Sequence, residues 1–222
     1  MKAFQNSFIE LARKADALSF GSFELKSGRT SPYFFNAGRF NSGALLAGLA
    51  DCYAQKIIST PDLEFDMLFG PAYKGIPLVA ATATVLAQRY GRDVPYAFNR
   101  KEQKDHGEGG LIVGSPLKGR VLILDDVITA GTAIRESIEL IRASDDCTVE
   151  AVVIGLDRQE KGPAGASAIQ QLQQQEGLAV HAIVRLNDLI DYLSNNPDGM
   201  STGSHQDLLN SMGEYRKNYG VG

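Results

Sequence analysis

Two adjacent carboxylates, Asp125 and Asp126, close a four-residue apolar run from Val121 to Leu124, and Thr129-Ala130-Gly131-Thr132-Ala133 follows shortly after. The apolar run reads as a short buried strand, and the small residues as a turn into a helix that reaches about Ala143. In open α/β sheets, ligands bind outside the carboxyl ends of strands. A helix opened by small residues offers unpaired N–H groups and a favourable dipole to a phosphate. Carboxylates for sugar hydroxyls therefore lie beside a seat for a phosphate, which is the chemistry that holds a ribose 5-phosphate. The plain alternative is a buried strand followed by an ordinary acidic turn. A Walker-type strand also ends in acidic residues, but the chain contains no G-x-x-x-x-G-K-[ST].

Four further segments carry groups that could do chemistry. Gly70-Pro71-Ala72-Tyr73-Lys74-Gly75-Ile76-Pro77 is a second small-residue turn between a strand and a helix. Its backbone N–H groups and one ammonium suit a diphosphate, whereas the bland reading is a βα connection with a surface lysine. Residues 99–110 hold Arg100, Lys101, Lys104 and His106 among Glu102, Asp105 and Glu108, and end in Gly107, Gly109 and Gly110. Glycines around a charged segment suit a lid that closes over a site, and a solvated loop is the simpler reading. Arg158, within Asp157-Arg158-Gln159-Glu160, offers a fork that matches a carboxylate, or else pairs with Asp157 or Glu160. Phe34 and Phe35 suit the face of a planar base, or simply pack. His181 and His205 stand apart, and no His, Asp or Glu set has the spacing of a protein metal site.

VLILDDVITAGTA, residues 121–133, resembles position for position the 5-phosphoribosyl 1-diphosphate (PRPP) motif of the type I phosphoribosyltransferases. That resemblance implies that Asp125 and Asp126 accept hydrogen bonds from the ribose 2- and 3-hydroxyls. It also implies that Val127, Ile128, Thr129, Ala130, Gly131, Thr132 and Ala133 wrap the 5-phosphate. The turn 70–77 resembles the family's pyrophosphate loop, which places Tyr73 and Lys74 on PRPP and a non-proline cis peptide at Ala72–Tyr73.

R-K-E-x-K-x-H-G-x-G-G, residues 100–110, is similar to the catalytic loop of the orotate phosphoribosyltransferase family. Lys104 is thereby implied as catalytic, with His106 as a proton donor and Arg100 and Lys101 on PRPP. Residues 23–36, FELKSGRTSPYFFN, resemble the hood of the same family, with Lys26 near the reacting groups and Phe34 and Phe35 beside orotate. Thr129 and Arg158 are implied as further orotate contacts, and orotate, unlike uracil or the purines, carries a carboxylate for Arg158 to grip.

The implied activity joins orotate to the ribose 5-phosphate of PRPP in UMP biosynthesis. The implied cofactor is Mg²⁺, held mainly by PRPP rather than by protein side chains. A homodimer is implied as well, its catalytic loop shared between subunits. A phosphoribosyltransferase for another base, or a PRPP-sensing regulator without activity, shares the central motif. The first should lack the Lys26 hood and Arg158, and the second should carry a degraded lid and a DNA-binding segment.

The elements that must position these groups follow from periodicity. An amphipathic helix covers the first 18 residues, and residues 20–40 read as short strands and turns. Helices are expected at 42–58, capped by Ser42, at 75–90, at 131–143, at 164–175 and at 205–219. Strands are expected at 65–70, 94–100, 121–126, 148–158 and 179–186, with a polar loop at 101–119. Alternating strands and helices predict an α/β fold with a mostly parallel sheet. The type I phosphoribosyltransferase fold implied is a five-stranded sheet flanked by helices, with a small N-terminal hood. We expect one domain over 1–222, with a hood at about 1–40 completed by the C-terminal segment, a core at about 42–186 and a flexible loop at about 100–110.

The chain has 222 residues, of which 44% are hydrophobic and 22% charged, and a net charge of −4. Such a balance provides no broad basic face, so no nucleic-acid partner is expected and any anion site must be local. No apolar run approaches the ~20 residues that cross a bilayer, and the N-terminus lacks a signal-peptide core. A cytoplasmic protein with no membrane partner is the expectation, with Cys52 and Cys147 as unpaired thiols.

Overall fold

The computed structural model describes residues 1–25, 27–104, 110–196 and 202–221, without the side chains of 103, 104 and 202–204. Helix α1 (Ala3–Lys14) buries Phe4, Phe8, Ile9 and Ala12 along one stripe. Strands β1 (Leu18–Glu24) and β2 (Thr30–Phe35) pair antiparallel as a separate two-stranded sheet, which matches the expected hood. Helix α2 (Gly43–Ile58) starts where Ser42 accepts the Leu45 N–H, the cap expected from the sequence.

Then come β3 (Met67–Gly70), α3 (Gly75–Tyr90), β4 (Tyr96–Lys104), β5 (Gly110–Gly114), β6 (Gly119–Val127), α4 (Thr132–Arg142), β7 (Cys147–Asp157), α5 (Ala168–Glu176) and β8 (Ala179–Arg185). Two further helices, α6 (Leu186–Asn195) and α7 (Thr202–Tyr219), close the chain. The main sheet runs β5-β4-β3-β6-β7-β8. Five strands are parallel, and β5 adds an antiparallel edge to β4.

The five strands expected are present and parallel, and β5 is a sixth beside them. The additional one lies in 101–119, which reads as a polar loop because its charges hide the short apolar segment Leu111-Ile112-Val113. Pairing runs from Ala97 with Gly114 to Lys104 with Gly110, so the two flanks of the expected lid are paired strands of the sheet, while residues 105–109 lie outside the described residues. Helix α5 begins at Ala168 rather than near 164, because Gly162–Gly165 forms a turn and Ser167 supplies the cap. Helix α6, which periodicity did not single out, follows β8 directly, and the Asp188 carboxylate accepts the Arg185 N–H at its start.

Successive residues of a strand face opposite sides of the sheet, and β6 shows the consequence. Leu122 and Leu124 join the core under α1, α2 and α3, whereas Val121 and Ile123 join the core under α4 and α5. Both layers close fully over β6, where Val121 to Leu124 are completely buried. Cys52 and Cys147 are buried free thiols. Among the described residues, no helix is long and apolar enough to cross a membrane.

Because Ile123 is fully buried within the α4–α5 layer, Ile123→Ala should cost about 2–5 kcal/mol. Urea unfolding measures this, and a loss below about 1 kcal/mol would contradict the close packing of the α4–α5 layer.

Candidate active site

The chain leaves β3 to reach β4 on one side of the sheet, and leaves β6 to reach β7 on the other. Neighbouring strands β3 and β6 thus flank the point where strand order reverses, and crevices for ligands form outside the carboxyl ends at such points. Both small-residue turns singled out from the sequence emerge there.

The turn after β3 is fixed by close backbone approach. A Cβ on Gly70 would overlap the Gly75 carbonyl oxygen, and one on Gly75 would lie 2.7 Å from the Gly70 carbonyl carbon. Glycine at both positions lets the turn fold back tightly. The Ala72–Tyr73 peptide is cis, where the sequence resemblance placed it. Tyr73 is 67% exposed, and Lys74 reaches across to place Nζ 2.7 Å from Asp126 Oδ2. From β4, the Lys101 ammonium lies 5.1 Å from the centre of the Tyr73 ring.

The turn after β6 opens α4 without a side-chain cap, and Gly131 at the cap position takes φ 74°. Thr129, Ala130, Thr132 and Ala133 are exposed, while Ile128 and Gly131 are buried. The first N–H groups of a helix have no partner within it, so this turn presents donors to an anion. Arg135 Nη1 donates to the Ala130 carbonyl at 2.7 Å and steadies the turn.

Asp125 is buried, and its Oδ1 accepts the Asp126 N–H at 2.9 Å. Beneath it, the hydroxyl of fully buried Tyr53 from α2 donates to the Asp125 carbonyl at 2.7 Å. Gly155 on β7 makes room for that contact, since a Cβ there would lie 3.0 Å from the Tyr53 hydroxyl and 3.2 Å from the Asp126 carbonyl. Asp126 faces a cleft of about 130 Å³ between hood and core, lined also by Phe35, Tyr53, Lys74, Pro77 and Leu78.

The hood residues fall into two groups. Phe34 is 42% exposed and its ring lies 5.6 Å from that of Phe23, whereas Phe35 lines the cleft. Arg158 does not line it. Its Nε donates to Glu160 Oε1 at 2.7 Å and its Nη2 to Ser31 Oγ at 3.1 Å, and its guanidinium lies 4.3 Å from the Tyr33 ring centre. The ion pair with Glu160 noted from the sequence is therefore present, although largely buried rather than at the surface. Arg100, half-buried in β4, donates to the Gly110 carbonyl across the hairpin at 3.5 Å.

Lys26 and His106 lie outside the described residues, as does the side chain of Lys104. The fold brings together Tyr73, Lys74, Lys101, Asp125, Asp126 and the α4 turn, with Phe35 across the cleft. Sequence reasoning missed Tyr53, Gly155 and Asn99, whose Oδ1 accepts the Ala72 N–H at 2.9 Å. Tyr53 reads as one apolar position of an amphipathic helix, and nothing local marks its hydroxyl. Among the described residues, no three His, Cys, Asp or Glu side chains form a metal site.

The Phosphoribosyl transferase domain family matches residues 40–193. The orotate phosphoribosyltransferase of Cronobacter sakazakii is 55% identical over 221 residues, covering 100% of both chains. That of Saccharophagus degradans is 53% identical over the same span, again covering 100% of both. The crystal structure of a Francisella tularensis orotate phosphoribosyltransferase superposes with a TM-score of 0.84 at 46% identity, over 96% of this chain and 99% of that one. A Mycobacterium tuberculosis orotate phosphoribosyltransferase solved in complex with PRPP shares the fold, with a TM-score of 0.61 at 22% identity over 84% of this chain and 98% of that one.

Burial first, and then the charge of Asp126, push the Asp125 carboxyl up to about 7, against the Asp126 N–H and Lys74, which lower it. The folded chain therefore holds this proton more tightly than the unfolded chain, where the carboxyl titrates near 3.8. Such a group stabilises the fold below about pH 4, and that contribution is lost as pH rises towards 7. Asp125→Asn should flatten the fall in stability over this window, read as urea midpoints against pH. An unchanged slope would rule out the buried acid as its source.

Proposed function

This chain belongs to the orotate phosphoribosyltransferase family, and we propose that its site transfers the ribose 5-phosphate of PRPP to orotate. The products are orotidine 5-monophosphate and pyrophosphate, a step of UMP biosynthesis. The observation that carries the reading is the meeting of two anion-seating turns at the switch point of one sheet, tied by Lys74 and Asp126 at 2.7 Å. One turn suits a diphosphate and the other a sugar phosphate, and PRPP carries both groups.

In this reading Asp125 and Asp126 accept the ribose 2- and 3-hydroxyls, while Val127, Ile128, Thr129, Ala130, Gly131, Thr132 and Ala133 wrap the 5-phosphate. Tyr73, Lys74, Arg100 and Lys101 bind the diphosphate, with Lys104, Lys26 and His106 closing over it. Phe34, Phe35 and Thr129 border the orotate ring, and Arg158 takes its carboxylate.

The bond from C1 to the diphosphate oxygen breaks as the base nitrogen approaches, and its electron pair leaves with pyrophosphate. Positive charge grows on the ribose, and the negative charge that Asp125 and Asp126 carry between them lies beside it and stabilises it. Negative charge grows on the diphosphate, where Lys74 and the lid cations offset it. His106 is assigned as donor of a proton to that oxygen. No covalent protein intermediate is needed, since alignment and preset charge lower the barrier.

Mg²⁺ fits this donor set as an ion held mainly by diphosphate oxygens and water, because the described residues provide two neighbouring carboxylates and no cage. When bound it adds charge neutralisation at the leaving group. The reading also comprises a single domain over 1–222, with the hood at about 1–40, and a homodimer whose loop near 100–110 reaches the partner's site. Sedimentation of the pure protein decides the dimer.

Purified protein with PRPP and Mg²⁺ should consume orotate, followed by ultraviolet absorbance, and release pyrophosphate, while uracil, hypoxanthine and adenine stay untouched. Turnover of another base instead would overturn the role of Arg158. Lys104→Ala should lower kcat roughly 10²–10³-fold with the fold intact, the scale of removing one donor at a developing charge. Near-normal turnover would remove Lys104 from the mechanism. Asp126→Asn should raise the KM for PRPP more than that for orotate, and an equal rise in both would count against the diol assignment.

A further inference from the structure

One polar contact joins the strand that leads into the lid to the turn after β3. Strands β3 and β4 pair as far as Gly70 with Phe98, so Asn99 stands one position beyond, level with the turn. Its Oδ1 accepts the Ala72 N–H at 2.9 Å, and its Nδ2 faces the Arg100 carbonyl at 3.4 Å. Ala72 is half-buried, and exposed Tyr73 and Lys74 follow it. The turn's own backbone bonds, Gly75 N–H to the Pro71 carbonyl and Ile76 N–H to the Tyr73 carbonyl, lie after Ala72 or span it and leave its N–H free. Asn99 is thus what orients that peptide from outside the loop. Two residues further along β4, Lys101 reaches the Tyr73 ring.

A half-buried N–H that loses its acceptor must find another or turn to water, and either moves the peptide that carries it. The residue type fits the place as well. An amide oxygen accepts the N–H without charge, whereas a carboxylate at this position would repel an arriving diphosphate.

We propose that Asn99 is a positioning residue for the diphosphate. Through the Ala72 N–H it sets the Ala72-Tyr73-Lys74 turn to face the leaving group, and it makes the lid strand and this turn one mechanical unit. The inference rests on the function read above, and concerns a residue that itself touches no substrate.

The test compares the wild type with Asn99→Ala and Asn99→Ser by titration calorimetry in Mg²⁺. The ligands are PRPP, inorganic pyrophosphate and orotidine 5-monophosphate, the last having the sugar phosphate and base but no diphosphate. Loss of one hydrogen bond to a half-buried N–H should weaken PRPP and pyrophosphate about tenfold, and orotidine 5-monophosphate by less than about twofold. Asn99→Ser, the smaller change, gives the same comparison should the alanine variant fail to fold, and retained nucleotide binding reports an intact fold. Equal weakening of all three ligands would reduce Asn99 to a structural residue and overturn the proposal, as would unchanged pyrophosphate affinity. A wild type that binds neither PRPP nor pyrophosphate would overturn the underlying function, and the Asn99 role with it.

Discussion

Two carboxylates side by side at the end of a buried strand resist ionising together, and much of this site is arranged around that difficulty. Asp125 is shut away from water and Asp126 adds its charge beside it, so the pair needs a cation and hydrogen-bond donors close at hand. Lys74 is the cation, and it arrives only because Gly70 and Gly75 let the turn after β3 fold back on itself. The Asp126 N–H serves one Asp125 oxygen, and the Tyr53 hydroxyl pins the carbonyl behind it. A sugar diol delivers two more donors to the same oxygens, so in the proposed function the substrate completes what the protein leaves unfinished.

Legibility from the sequence divides along physical lines. The DD-to-TAGTA stretch was readable because its chemistry is local: an apolar strand, two acids and a helix start within thirteen residues. The helix at 75–90 and strands such as 121–126 were readable because burial imposes periodicity. Tyr53, Gly155 and Asn99 act at long range through backbone atoms of other elements, and no pattern in the neighbouring residues announces such a partner. Strand β5 escaped for a different reason. An edge strand in a charged hairpin takes its stability from pairing with β4, and its five residues are too few to show alternation.

The hood makes the same point about distance. Ser31 from β2, Arg158 and Glu160 from the end of β7, and Tyr215 from α7 converge, although more than a hundred residues separate the first from the rest. The Tyr215 hydroxyl donates to the same Glu160 oxygen that Arg158 engages, at 2.8 Å, while the Arg29 guanidinium lies 4.8 Å from the Tyr219 ring centre. Backbone bonds from Lys161 to Tyr219 and from Val221 to Gln159 hold the chain end against this junction. The C-terminal helix thus packs against the same junction as β2 and the end of β7.

This convergence bears on how an anionic base would be held. Arg158 and Glu160 form a largely buried pair whose charges offset one another, so the guanidinium offers a substrate carboxylate little net attraction. What it offers is direction. With Nε and Nη2 committed to Glu160 and Ser31, the plane of the fork is set before any ligand arrives. A carboxylate at the right angle gains hydrogen bonds from a donor that need not reorganise, and one at the wrong angle gains almost nothing. Discrimination among bases would then rest on geometry fixed by Glu160 and by Tyr215, the second of which no reading of the base-contacting segment alone would select.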